Sequence, residues 1–227
     1  MNHKRLTLFA GHYGSGKTNI AVNYAITMAK EKNKVCIADL DIVNPYFRTA
    51  DSADQLALAG VELISPQFAN TNVDLPALPA EAYKLVQDKT LYGVMDIGGD
   101  DRGAYALGRY VPSIKEEGNY RMIFVANCCR PLTRTADEAM EVMREIEAAC
   151  GLAFTDIVNN SNLGPMTDPQ VLLESQEFID SLCKKSGLPL YFTAAREDLL
   201  PQLGSIPNVF PLQLQEKYFD LPDQVIR

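Results

Sequence analysis

Gly11-His12-Tyr13-Gly14-Ser15-Gly16-Lys17-Thr18 is a complete G-x-x-x-x-G-K-T stretch. Its glycines let the backbone curl so that successive N–H groups point inward at phosphate oxygens. Lys17 is placed to reach terminal phosphates as a point charge. The Thr18 hydroxyl is a hard oxygen ligand of the kind Mg²⁺ takes. Upstream, Leu6-Thr7-Leu8-Phe9-Ala10 reads as a short apolar strand. Downstream, Asn19 to Lys30 carries apolar residues at helical spacing and contains neither Gly nor Pro. Strand, glycine loop and helix in that order are the context a phosphate-binding loop requires, and the helix start adds its positive dipole end.

Working outward, the chain alternates strand and helix. Strands are expected at about 5–10, 34–40, 61–65, 91–97, 121–127, 155–160 and 189–193. Helices are expected at about 17–32, 78–88, 104–116, 134–150 and 169–186. Val35-Cys36-Ile37-Ala38 and Met122-Ile123-Phe124-Val125 are unbroken apolar runs, as in strands buried on both faces of a parallel sheet. The fold class expected is α/β, with a single doubly wound, mostly parallel sheet. With 227 residues, one nucleotide-binding domain spanning residues 1–227 is expected. The Pro/Asn-rich stretches 65–79 and 159–169 read as loops within it.

Composition bounds the partners. The net charge is −8 and no Lys/Arg cluster occurs, which argues against a non-specific nucleic-acid binder. No apolar run reaches transmembrane length, and the C-terminal stretch Leu212–Arg227 is not a basic amphipathic anchor, so no membrane partner is expected. The first strand begins too early to leave room for a signal peptide, so a cytoplasmic location is expected. None of the five cysteines (Cys36, Cys128, Cys129, Cys150 and Cys183) forms a C-x-x-C pair. Buried small hydrophobes are therefore the expectation, rather than metal ligands.

In a doubly wound sheet, ligands gather at the carboxyl ends of the strands. After the second strand come Asp39 and Asp41, spaced to project to one side of an extended segment. One carboxylate would lie near a metal and the other would orient an attacking water. After the fourth strand come Asp96-Ile97-Gly98-Gly99. Asp96 would hold Mg²⁺, and Gly99 would bring a side-chain-free amide to a γ-phosphate. After the fifth strand come Cys128, Cys129 and Arg130, and after the sixth Asn160, whose amide suits a purine edge. Tyr191 to Arg196 would pack against base or ribose.

With these pieces assembled, the chain resembles the MinD/ParA/nitrogenase-iron-protein class of phosphate-loop ATPases. Lys34–Asp41 resembles its first switch segment and Asp96–Gly99 its second; Val158–Asn162 resembles the segment whose Asn reads adenine. The resemblance implies ATP and Mg²⁺ as cofactors. Gly11, His12, Tyr13, Gly14, Ser15, Gly16, Lys17, Thr18, Gly99 and Asn160 would hold nucleotide. Thr18 and Asp96 would hold metal, and Lys17, Asp41 and Asp39 would carry catalysis. It also implies a homodimer closed by ATP and opened by hydrolysis, driving a partner protein.

One position departs from the pattern. The family's loop begins Lys-Gly-Gly, and that lysine crosses the dimer; His12 and Tyr13 stand there in this chain. Histidine is only partly charged at neutral pH. Either His12 serves in weakened form, or Arg48 or Arg102 replaces it, or a partner does. The function expected is a nucleotide-driven ATPase switch acting on a partner protein, with metallocentre maturation among the possibilities. Two alternatives stand beside it. One is a small-molecule kinase or ligase related to dethiobiotin synthetase, with Asn44 to Arg48, Asn70, Asn72 and Arg130 lining an acceptor pocket. The other is a sensor that binds nucleotide without hydrolysis. The absence of an N-K-x-D motif favours adenine over guanine.

Overall fold

The computed structural model describes residues 3–32, 34–41, 49–65, 80–99 and 101–215. Asn44 to Arg48, Asn70 and Asn72 lie outside these residues, as does the side chain of Arg102.

The phosphate-loop region has the predicted order. Strand β1 (Leu6–Ala10) leads through the glycine loop to helix α1 (Lys17–Ala29). Then follow β2 (Val35–Leu40), a 3-10 turn at Thr49–Ser52, α2 (Ala53–Leu58) and β3 (Val61–Ile64). A second 3-10 turn, Ala80–Tyr83, precedes α3 (Lys84–Gln87), β4 (Tyr92–Ile97), α4 (Asp101–Gly108) and α5 (Val111–Glu117). The C-terminal half contains β5 (Tyr120–Ala126), α6 (Ala136–Cys150), β6 (Asp156–Asn159), α7 (Pro169–Ser186), β7 (Leu190–Arg196) and β8 (Val209–Leu212).

The strands form one eight-stranded sheet in the order β3-β2-β4-β1-β5-β6-β7-β8, and every pairing is parallel. The mostly parallel sheet expected is thus parallel throughout its described length. Successive strand residues alternate between two cores. Leu6, Leu8, Met122 and Phe124 pack with Leu107, Val142 and Ile146 on one face. Phe9, Ile37, Ile123 and Val125 pack with Ile20, Tyr24 and Met28 of α1 on the other. Burial on both faces is the reason these strands read as continuous apolar runs.

Four elements differ from expectation. β8 is an additional edge strand; Pro211 within it needs no ladder partner on an outer edge. α2 is a short helix with only Leu56 of its residues buried. The single helix expected at 104–116 is two helices, because Pro112 near the start of α5 lacks the N–H that an uninterrupted helix would use. The helix expected at 78–88 is a 3-10 turn followed by one turn of α-helix. Cys36, Cys150 and Cys183 lie in β2, α6 and α7, and all five cysteines are free thiols.

The order of the strands positions the site. β1 sits between β4 and β5, so the phosphate loop leaving β1 is flanked by the segments leaving β4 and β5. Beyond β5 lie the ends of β6, β7 and β8. Among the described residues no helix is long and apolar enough to cross a membrane.

Candidate nucleotide-binding site

Helix α1 has no side-chain cap. Its N-cap is Gly16 at φ 87°, a left-handed conformation that glycine adopts without penalty. A methyl group on Gly16 would also stand 2.3 Å from the Asn160 amide nitrogen. The first-turn N–H groups of a 13-residue helix are thereby left for a ligand. Gly11 is held as closely: a Cβ there would meet the Val125 carbonyl oxygen at 2.6 Å.

Lys17 is buried, and its ammonium donates to the His12 carbonyl at 3.2 Å. It therefore folds back over the loop, as a lysine serving bound phosphates does. His12 turns its Nδ1 to the Tyr13 carbonyl at 2.9 Å. Tyr13 is 55% exposed at the rim of the cavity. The Ser15 side chain is buried, and its hydroxyl has no hydrogen-bond partner among the described residues.

The acidic residues divide into two environments. Asp39 and Asp96 are register partners in β2 and β4 and are both buried. Burial, and then the Asp96 charge, push the Asp39 carboxyl well above its usual range. Burial also raises Asp96, outweighing the hydrogen bond from Thr18 and the charge of Lys17. Thr49 donates to Asp96 Oδ2 at 3.2 Å, and Asp96 Oδ1 is buried without a partner among the described residues. A carboxylate with an unsatisfied buried oxygen, beside the Thr18 hydroxyl and close to Asp39, is an all-oxygen donor set. That is the chemistry Mg²⁺ requires, and a divalent cation would offset the crowded negative charge. The residues present therefore suit a divalent cation, with Thr18 and Asp96 as the oxygen donors that would hold it.

Asp41 lies differently. It lines the cavity, and its backbone N–H donates to Asp39 Oδ1 at 3.0 Å. Its own Oδ1 lies 3.2 Å from where a Cβ on Gly98 would stand. Asp39 does not line the cavity, so of the two carboxylates Asp41 is the one presented to a ligand. Gly99 meets the phosphate loop closely: a Cβ there would lie 2.8 Å from both Lys17 Nζ and Tyr13 N. Gly98 and Gly103 also touch, since a Cβ on Gly103 would stand 2.5 Å from Gly98 Cα. This contact seats the start of α4 against the end of β4.

One cavity of about 530 Å³ opens over the phosphate loop; Asp96, Gly98 and Gly99 lie behind the residues that line it. Lys17, Thr18 and Asp41 line one region, and Leu163, Pro165, Ala195 and Leu212 form an apolar region near the ends of β6, β7 and β8. Its size and mixed lining suit a nucleotide. Asn160 lines the cavity, yet its amide nitrogen already donates to the Ser15 carbonyl at 2.7 Å. In this structure Asn160 braces the phosphate loop. Of the stretch Tyr191–Arg196, Ala194, Ala195 and Arg196 line the cavity. Tyr191 and Phe192 instead pack with the core around Tyr24 and Phe210.

Thr49 and the loop contact made by Arg130 have no local signal in the sequence. Arg130 Nε donates to the Gly14 carbonyl at 3.0 Å. Cys128 and Cys129 are half-buried; their amides bond to Ser161 Oγ and Asn127 Oδ1, and burial raises the Cys129 thiol to about 11. Among the described residues no group of three or more metal-ligating His, Cys, Asp or Glu side chains occurs.

No family model matches the chain, and no curated protein matches it. Solved structures do. The chain is similar to signal recognition particle receptor FtsY from Elizabethkingia anophelis, at 18% identity and a TM-score of 0.53, over 88% of this chain and 62% of that one. It is similar to cell division protein FtsY from Thermotoga maritima, at 16% identity and a TM-score of 0.54, over 85% of this chain and 62% of that one. It is also similar to signal recognition particle 54 kDa protein from Aeropyrum pernix in complex with GDP, at 17% identity and a TM-score of 0.52, over 83% of this chain and 40% of that one. The chain therefore spans about three-fifths of the length of the two FtsY structures. At these identities the likeness concerns the fold alone: a single-sheet, all-parallel α/β fold of the phosphate-loop NTPase type.

Proposed function

We propose that the protein is a Mg²⁺-dependent nucleoside-triphosphate switch that binds and slowly hydrolyses ATP. The observation that carries this reading is the approach of Gly99 to the phosphate loop, with no room for a side chain between it and Lys17 Nζ or Tyr13 N. A γ-phosphate held by Lys17 would sit where it is read by the segment leaving β4. The contact between Gly98 and Gly103 then carries any displacement into α4.

Each residue has a role. Lys17 and the loop amides hold the charge of the phosphates. Thr18 and Asp96 hold the metal, which neutralises charge developing on the transferred phosphoryl group. Asp41 faces the cavity and orients the attacking water. Asp39 fixes Asp41 through the bond to its backbone N–H.

We favour adenine because the chain has no N-K-x-D sequence, and because Asp41, the one carboxylate among the described residues lining the cavity, is assigned here to the attacking water. A GTP-binding reading is supported by one observation, that two similar solved structures hold GDP. We take the working unit to be a single-domain cytoplasmic homodimer acting on a partner protein, with neither nucleic acid nor membrane as its target.

Phosphate release from Mg-ATP and Mg-GTP, with Lys17→Ala as the blank, tests the reading. Slow release from ATP that vanishes in the variant supports it. Release from GTP alone replaces adenine by guanine, and release that the variant retains removes the phosphate loop from the chemistry.

A further inference from the structure

Arg130 is a cation in the cavity wall that neither the phosphate-loop motif nor the family resemblance assigns to nucleotide. It follows β5 and reaches across to the loop, where its Nε donates to the Gly14 carbonyl. It lines the same cavity as Lys17 and Thr18. Among the described residues it has no carboxylate partner, and its two terminal nitrogens have no acceptor.

That geometry is selective. A guanidinium anchored through Nε is fixed in plane, and its outer edge presents parallel N–H donors that match a bidentate oxyanion. Arginine keeps its charge at every working pH, whereas histidine as a residue type is only partly charged near neutrality. We propose that Arg130 binds the phosphate chain of the nucleotide and supplies the permanent positive charge that is missing at His12.

The sheet order states which phosphates it serves. Gly99, on the β4 side of the loop, touches Lys17 Nζ and marks the terminal-phosphate flank. Arg130, on the β5 side, touches Gly14. The two approach the loop from opposite sides, so Arg130 serves phosphates that di- and triphosphates share. It is a general affinity residue rather than a sensor of the γ-phosphate.

This inference rests on the nucleotide-binding reading above, and the experiment separates the two. Dissociation constants for Mg-ADP and Mg-ATP are measured on the full chain, on Arg130→Gln and on Arg130→Lys, at low and at high salt. Arg130→Gln is expected to weaken both nucleotides by the same factor, about 10- to 100-fold. Arg130→Lys is expected to recover part of the loss, and the gap between parent and Gln variant is expected to narrow as salt rises.

A loss confined to ATP overturns the placement on the shared phosphates. A loss that is independent of salt and unrelieved by lysine shows that Arg130 only braces Gly14, and overturns the proposal. Parent-like affinity in Arg130→Gln overturns it outright while leaving the nucleotide site intact. A parent protein that binds neither nucleotide overturns the functional reading, and this inference with it.

Discussion

Asp39 and Asp96 stand directly opposite one another in the parallel β2–β4 pairing, 2% and 1% exposed. Two carboxylates in this position cannot both ionise cheaply without a cation between or beside them. The fold therefore stores a repulsion that a bound cation would relieve, and the stability of the metal-free protein should reveal it.

In metal-free buffer, the folded state holds protons on this pair more tightly than the unfolded chain does, because both carboxyls are raised. As pH rises from about 4, the unfolded chain releases its protons first, so stability falls through the window up to the folded values. Asp39→Asn removes the repulsion and keeps an acceptor for the Asp41 amide. It is expected to gain on the order of 2 kcal/mol at pH 8 and to flatten the decline. Denaturant melts at several pH values check this; a variant no more stable than the parent at pH 8 contradicts it.

Glu117 has the opposite sign. It forms a nearly buried ion pair with Arg5, whose guanidinium also donates to the Leu85 and Leu91 carbonyls at 2.9 and 2.8 Å. The hydrogen bond from Arg5 holds the Glu117 carboxyl below its ordinary value. The stabilisation is complete above the unfolded pKa and is lost as pH falls through the folded one. Glu117→Gln should cost about 3 kcal/mol at pH 7, and the difference should shrink toward pH 3. Equal pH dependence in the two proteins would exclude the pair as its source.

Gly103→Ala tests the seat of α4. The new methyl would lie 2.5 Å from Gly98 Cα, a backbone atom with little freedom to yield. Overpacking of this kind costs about 1–3 kcal/mol, which lowers the melting temperature by about 3–10 °C in a chain of this size. Calorimetry reads the shift, and an unchanged melting temperature would mean that the two glycines do not touch.

Asp41→Ala separates binding from chemistry. Asp41 faces the cavity while Lys17, Thr18 and the loop amides remain in place. Nucleotide affinity should change little, and phosphate release should fall by about 100-fold or more. Hydrolysis at the parent rate would remove Asp41 from the water-orienting role.

The legible parts of this molecule are those encoded locally. β1, the glycine loop and α1 lie within residues 6–29, and their motif, apolar run and helical period agree with one another. β2, β4 and β5 were legible because strands buried on both faces are continuously apolar. β8 was not, because Val209-Phe210-Pro211-Leu212 is short and its proline argues against a central strand; only the sheet order shows that it is an edge. Within the site, Lys17, Thr18 and Asp41 line one cavity, and Asp96 lies buried beside Thr18. The bonds from Thr49 to Asp96, from Asn160 to Ser15 and from Arg130 to Gly14 join residues 47, 145 and 116 positions apart. No local pattern encodes such contacts; they follow from which strand ends the sheet brings together.

Isothermal titration of Mg-ATP into the parent protein and into Lys17→Ala is the most direct test of the nucleotide site. Saturable binding by the parent, reduced beyond detection in the variant, is the expected result. A parent that takes up no nucleoside triphosphate, or a variant that binds as the parent does, would contradict the central claim.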